Sequence, residues 1–259
     1  MKANWHAVVL AAGRGPNDPM AKAYGVLHKC SIDIAGTPML RRVVQTLAAH
    51  PAIASVTISI DDASVATKAI AGLAGNIRIV SSADTAAESA LSAVGHIGHR
   101  YPVLLTTGDH PLLTAGMLDH FLAEAENAKS DLSVGLASAE TILAAFPETK
   151  RTYLTFGKDR VSGCNLYALM NEGALEALRF WSSLDQLRKK PWRLVGAFGA
   201  VPLIRYLTGA IDLKGAFVLA SKRLGLIAAP ILMPFAEASI DVDKPSDKEL
   251  VEKIIAGRN

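Results

Sequence analysis

Apolar and polar positions in this chain change over in blocks, with a turn signal between most of them. His6–Ala11 (HAVVLA) is an unbroken apolar run that stops at Gly13 and Gly15, as a strand buried on both faces does. After Pro38 the period lengthens: Met39, Leu40, Val43, Val44 and Leu47 fall on one face of a helix. Ser55–Ile60 (SVTISI) reads as the next strand, and either Asp61 or Asp62 suits the N-cap of a helix after it. Ile77–Val80, a helix over Ala86–Ile97 and the apolar Val103–Thr107 continue the alternation. Strand, helix and strand at this spacing predict right-handed crossovers and an α/β fold with a mostly parallel sheet covered on both faces.

Beyond about residue 130 the pattern loosens. Leu132–Ala137 and Val161–Leu169 read as strands, and Gly173–Trp181 as a helix. Ser182–Arg193 is polar and basic, Leu194–Pro234 is apolar with helix-like spacing, and Ser246 is expected to cap a short amphipathic helix to Ala256. A single domain over 1–259 is expected, carrying a helical, apolar insert at about 170–225.

Composition narrows the function classes. The 259 residues include 27 basic and 24 acidic side chains, and half are hydrophobic. That excludes a disordered chain. A net charge of +3 gives no reason to expect a nucleic-acid partner. Cys30 and Cys164 stand far apart with no CxxC or Cys/His cluster, which fits a reducing compartment and offers no zinc site. Met1–His6 lacks an apolar run, so no secretory leader is expected and a cytoplasmic location is. The mean hydropathy of +0.26 is high for an enzyme in water. Its excess lies in Leu194–Phe235, yet Arg205, Asp212, Lys214, Lys222 and Arg223 interrupt that stretch well short of the ~20 apolar residues of a membrane span.

Three segments carry candidate chemistry. Leu10-Ala11-Ala12-Gly13-Arg14-Gly15 follows the first strand, where a glycine-rich turn exposes backbone N–H groups to phosphate. It is neither a dinucleotide fingerprint nor a P-loop, because Asp18, Pro19 and Met20 stand where glycine or Gly-Lys-Ser/Thr would be required. Thr106-Thr107-Gly108-Asp109-His110-Pro111 closes a buried strand and sets a carboxylate at the sheet edge where ligands bind, fit to hold Mg²⁺. Asp109 could instead cap the following helix, although Thr114 is the better cap. In Ile240-Asp241-Val242-Asp243-Lys244-Pro245-Ser246-Asp247, Asp241 and Asp243 point the same way from extended backbone and make a second carboxylate set.

Taken in order, these segments, with Lys29 ahead of Ile34-Ala35-Gly36-Thr37-Pro38-Met39-Leu40, resemble the MobA-like NTP transferases, the molybdenum-cofactor guanylyl/cytidylyltransferase type. The resemblance covers 5–135 and 225–257, and 140–225 only loosely. It implies a Rossmann-like sheet of the GT-A type, with a nucleotide-binding half over 1–135 and an acceptor-binding half over 136–259. It also implies a reaction joining an NTP to a phosphorylated acceptor with release of diphosphate. By the same likeness Leu10, Ala11, Ala12, Gly13, Gly15 and Gly108 would contact the nucleotide, with Ser89 at the base or ribose. Arg14 and Lys29 would neutralise phosphate charge, and Asp109, Asp241 and Asp243 would hold Mg²⁺. Asn165 and His110 would meet the acceptor. The chain departs from the family pattern in four places, one of them Asp33, at a position normally proline or apolar. Pro19 stands where an arginine usually precedes Met20, His28 replaces the proline before the lysine, and Pro16–Gly25 is long enough to act as a lid.

Smaller signals leave alternatives open. His96 and His99 read as a surface pair more readily than as metal ligands, since no third ligand is near. The basic run Arg188–Arg193, flanked by Trp181 and Trp192, reads as a solvated face, a grip on the acceptor phosphate, or a peripheral membrane contact. Leu194–Phe235 reads as a homodimer interface or the wall of a pocket for a lipid-linked acceptor. A nucleotide-sugar glycosyltransferase and a nucleotide-binding regulator are the competing functions.

Overall fold

The computed structural model describes residues 4–13, 15, 17–149, 151–183 and 199–258. The chain packs as two units, 1–118 with 240–259, and 119–239. Packing thus divides the chain at Leu118/Asp119 and again at Ser239/Ile240, whereas the halves implied by the resemblance, 1–135 and 136–259, place the tail with the second half.

The first unit is built on four parallel strands, β1 (Trp5–Leu10), β4 (Ile53–Ile60), β5 (Ile77–Ser81) and β6 (Val103–Thr107), in the order β6-β1-β4-β5. Trp5, Ala7, Val8 and Val9 of β1 are completely buried, which is why the run shows no alternation. Helices α2 (Met39–Ala49), α3 (Ala63–Ile70) and α4 (Ala86–His96) make the crossovers. Met39, Leu40, Val43, Val44 and Leu47 form the buried face of α2, as their spacing predicts. Asp62 caps α3 through Ser64 N–H, which leaves Asp61 for the site. A two-stranded ribbon, β2 (Asp33–Ile34) and β3 (Thr37–Pro38), precedes α2 and turns through Ala35 and Gly36, both at positive φ. Asp33 Oδ1 accepts from Gly36 N–H and fixes that turn.

The tail returns to this unit as a helix over Pro245–Ala256. Its expected cap is corrected. Lys244 is the N-cap residue, Pro245 opens the first turn, and Asp247, three residues on, accepts from Lys244 N–H at 3.0 Å. Proline at the first helical position shifts the start one residue ahead of Ser246.

The second unit carries β7 (Leu132–Ser138), β8 (Leu154–Phe156), β9 (Asp159–Leu169) and β10 (Ala228–Leu232). β7 pairs with β10 in parallel and with β9 antiparallel, which makes the sheet mixed. The apolar stretch after residue 199 is not helical throughout. Two helices, Ala200–Leu207 and Leu213–Leu224, are followed by Gly225 at φ 69 and then by β10. Strand and buried helix share this composition, and periodicity alone does not separate them over five residues. No described helix is long and apolar enough to cross a membrane. The basic run Arg188–Arg193 and Trp192 lie outside the described residues.

Candidate active site

Lys29 opens a single 3₁₀ turn, Lys29–Ser31, and is 8% exposed. Its Nζ donates to Asp109 Oδ2 at 2.7 Å and to Asp243 Oδ1 at 2.6 Å. One backbone bond makes this meeting possible: Val242 N–H donates to the Asp109 carbonyl, tying the turn after β6 to the tail. Ile240 and Val242 are fully buried, so the alternation of extended backbone turns Asp241 and Asp243 to the other side. Asp247 Oδ2 accepts from Asp243 N–H at 3.0 Å and so fixes the backbone of that carboxylate as well as the helix start. Burial opposes the charge on Lys29, yet Asp109 and Asp243 more than offset it and hold the ammonium well above the usual lysine range. Two carboxylates against one ammonium leave a net negative charge. Asp109 Oδ1 is buried and accepts no hydrogen bond among the described residues.

The glycine loop is anchored beside this cluster by residues that the sequence pattern does not single out. Asp61 Oδ1 accepts from Gly13 N–H at 2.8 Å and lies 3.0 Å from His28 Nε2. His28 Nδ1 accepts from Cys30 N–H, so the proton of a neutral ring sits on Nε2 and is donated to Asp61. Burial pushes the Asp61 carboxyl upward, but the Gly13 amide and the His28 ring outweigh it and hold it below the usual carboxylate range. A Cβ on Gly13 would stand 3.0 Å from His28 Nε2, so the imidazole occupies the space a side chain would need. Farther along, buried Asp18 caps the turn Pro19–Ala23 by accepting from Met20 and Ala21 N–H. Gly13, Gly15, Asp18, Leu27, His28, Lys29, Asp61 and Asp62 line one cleft of about 230 Å³, over which Leu27 is 94% exposed.

The predicted site residues separate into groups. Lys29, Asp109, Asp243, Gly13, Gly15 and Gly108 are carried by the first unit at the carboxyl edge of its sheet. Gly108 donates to the Leu10 carbonyl, and a Cβ there would meet Ala11, Cys30 and Leu40 at 3.1–3.2 Å. Ala11 is buried, Ala12 is exposed and Leu10 lies between. Arg14 is outside the described residues. Asp241 does not complete a three-carboxylate centre: among the described residues no three His, Cys, Asp or Glu side chains form a metal-holding group. Ser89 is 2% exposed, and its hydroxyl bonds both the N–H and the carbonyl of Ala83, fastening the loop before α4. His110 is 1% exposed, beneath the turn that presents Asp109. Asn165 belongs to the second unit, at φ 51 inside an irregularity of β9 opposite Gly135. Asn tolerates that left-handed backbone better than most residues.

The signal for Asp61 was present in the sequence as one of two cap candidates. His28 was visible only as a departure from the family pattern.

Comparison with known proteins gives a family. The model of the MobA-like NTP transferase domain matches residues 7–189. No curated protein sequence matches the chain. Among solved structures, a hypothetical transferase from Thermus thermophilus is similar at 27% identity and a TM-score of 0.78, over 96% of this chain and all of that one. A 4-diphosphocytidyl-2C-methyl-D-erythritol synthase from Anaerococcus prevotii is similar in fold at 12% identity and a TM-score of 0.60, over 97% of this chain and 98% of that one. A CMP:2-keto-3-deoxy-manno-octonic acid synthetase complexed with CTP shares the fold at 15% identity and a TM-score of 0.58, over the whole of both chains.

Proposed function

The chain belongs to the MobA-like NTP transferase family, and on that premise we propose that it joins an NTP to a phosphorylated small-molecule acceptor with release of diphosphate. The observation that carries this reading is the ammonium of Lys29, buried between Asp109 and Asp243 beside the glycine loop. In the reaction, an oxygen of the acceptor phosphate bonds to the α-phosphorus in line, while the bond from that phosphorus to the bridging oxygen breaks. The electron pair leaves with the diphosphate. Such a transfer needs positioning and charge neutralisation more than covalent help from the protein.

The Gly15 N–H of the glycine loop takes the triphosphate, while Asp61, which accepts from Gly13 N–H and lies against His28, holds that loop in place. Lys29 stays protonated throughout and turns its charge toward the α-phosphate as the bridging oxygen departs. Gly108 lets the turn lie flat against Ala11 so that Asp109 reaches the same point.

A divalent cation fits the two carboxylates. Asp109 has a buried oxygen with no described partner, and the pair has charge to spare after Lys29. Mg²⁺ is commonly held by one or two carboxylates with substrate phosphates and water completing the shell, so Asp109 and Asp243 would suffice. When bound, the ion would neutralise charge on the transferred phosphate. By the family likeness, Asn165 is the candidate contact for the acceptor.

The test is a diphosphate-release assay with each of the four NTPs, Mg²⁺ and a panel of phosphorylated acceptors. Release that requires both substrates is expected. Transfer from a nucleotide sugar instead, or tight NTP binding with no release from any pair, would overturn the proposal.

A further inference from the structure

The amino edge of the first unit's sheet carries a second cleft, of about 300 Å³, that the proposed reaction does not use. It is lined by His6, Ser55, Asn76, Arg78, His96, Ile97, Gly98 and Arg100. His6 and Arg78 are the second residues of β1 and β5, Ser55 is the third of β4, and Arg100 lies shortly before β6. The loops that hold Lys29 and Asp109 lie at the other ends of the same strands. From His6 to Leu10 alone the separation is roughly 13 Å.

The lining contains two guanidinium groups and two imidazoles, and no carboxylate. Among the described residues neither Arg78 nor Arg100 enters an ion pair. Within the lining His6 Nδ1 and Ser55 Oγ are 2.7 Å apart. Burial, then Arg100 and then Arg78 hold the His6 imidazole below its usual range, so both guanidinium charges act on that ring. Arg78 and Arg100 are exposed, so water screens their mutual repulsion, but two like charges lining one concavity without an ion-pair partner favour an anion there. An anion placed between them removes that repulsion and gains charge-assisted hydrogen bonds. A guanidinium fork matches a tetrahedral phosphate in two-point contact, and Asn76 in the lining carries an amide donor. The volume exceeds that of one phosphate group and suits a phosphate ester of small size.

We propose that His6, Arg78, His96 and Arg100 form a binding site for the phosphate group of a small phosphorylated molecule, separate from the NTP cleft. The rival explanation is that these basic side chains only offset the carboxyl end of α4, whose last turn contains His96. In that case they would need no ligand.

The experiment titrates the full chain with inorganic phosphate and follows the ring resonances of His6 and His96 by NMR, with sodium chloride at matched ionic strength as control. Three proteins are compared: wild type, Lys29→Ala, and Arg78→Gln combined with Arg100→Gln. Saturable movement of both rings is expected in wild type and in Lys29→Ala, with binding weakened about tenfold or more in the arginine variant. Because Lys29→Ala disables the proposed catalytic site but not this one, the two readings fail separately. The proposal is overturned if chloride moves the rings as far as phosphate does. It is also overturned if the arginine variant keeps its affinity, or if Lys29→Ala loses the response.

Discussion

At the residue scale, the site depends on two glycines for different reasons. Neither Gly13 nor Gly108 has a left-handed φ, so what each position lacks is room. At Gly13 the obstructing atoms belong to His28, the residue that anchors the loop, so Gly13→Ala must push the imidazole off Asp61. We expect an increase of about tenfold in KM for the NTP with little change in thermal stability, since the loop lies at the cleft surface; steady-state kinetics and calorimetry would separate the two. At Gly108 the neighbours are Ala11, Cys30 and Leu40, all in the core. Gly108→Ala should cost about 1–3 kcal/mol through overpacking. For a unit of this size that corresponds to a fall in Tm of roughly 3–10 °C. An unchanged Tm would mean that the turn has slack the distances do not suggest.

The same anchor sets a pH dependence with a definite sign. The Asp61 carboxyl is held below its unfolded value, so its contribution to loop order is complete above the ordinary carboxylate range, near 4. It is lost only as pH falls through the lower folded value. Lys29 has the opposite sense: it is raised, so its ion pairs persist up to the ordinary lysine range and beyond. NTP affinity should therefore be flat from about pH 5 to 9 with respect to these two groups, and Asp61→Asn should lower it across that whole window. A midpoint near pH 7 that disappears in Asp61→Asn would contradict this assignment.

At the scale of elements, the tail helix does more than close the chain. Asp247 is 8% exposed and accepts from the N–H groups of both Asp243 and Lys244. Asp247→Ala should remove two charge-assisted acceptor bonds at the helix start, at a cost of about 1–2 kcal/mol, and at the same time loosen Asp243. Loss of stability accompanied by a fall in kcat is expected, and Asp247→Asn, which keeps an acceptor oxygen, should restore most of the stability. If both variants lose stability but keep kcat, Asp243 is not positioned from this helix. The β2–β3 ribbon illustrates a different economy. Ala35 adopts φ 51 at a turn position that glycine would fill without strain, while Asp33 and the Glu252 carboxylate brace it from outside. The strain costs on the order of 1 kcal/mol.

At the scale of the molecule, legibility in the sequence followed the range of the interactions. Strands and crossovers of the first unit were readable because each buried run is contiguous and each turn carries its own residues, as in Val103–Thr107 followed by Gly108. The tail's Asp243 was readable as a carboxylate, but not the partner that holds it, because Asp247 acts across a helix start that proline moved by one residue. Ser89 is placed at the base or ribose by the family likeness alone, and spacing does not show the two bonds its hydroxyl makes to Ala83. Asp61 and His28 meet across 33 residues, and no local rule couples a cap candidate to a substituted proline.

The same contrast predicts how the chain responds to truncation. The family likeness groups Ile240–Asn259 with the acceptor-binding half. By packing it belongs with residues 1–118, where Ile240, Val242 and Val251 are all completely buried. Burying three such side chains contributes about 5–9 kcal/mol, at roughly 1.5–3 kcal/mol each. Domains as a class have only about 5–15 kcal/mol to lose. A chain ending at Ser239 should therefore fail to show a cooperative thermal transition for the first unit. Replacing Asp243 alone in the full chain should leave that transition in place and remove turnover. Differential scanning calorimetry on the two proteins decides the matter: a truncated chain that melts like the wild type would show that the tail supplies a carboxylate to the site and nothing to the fold.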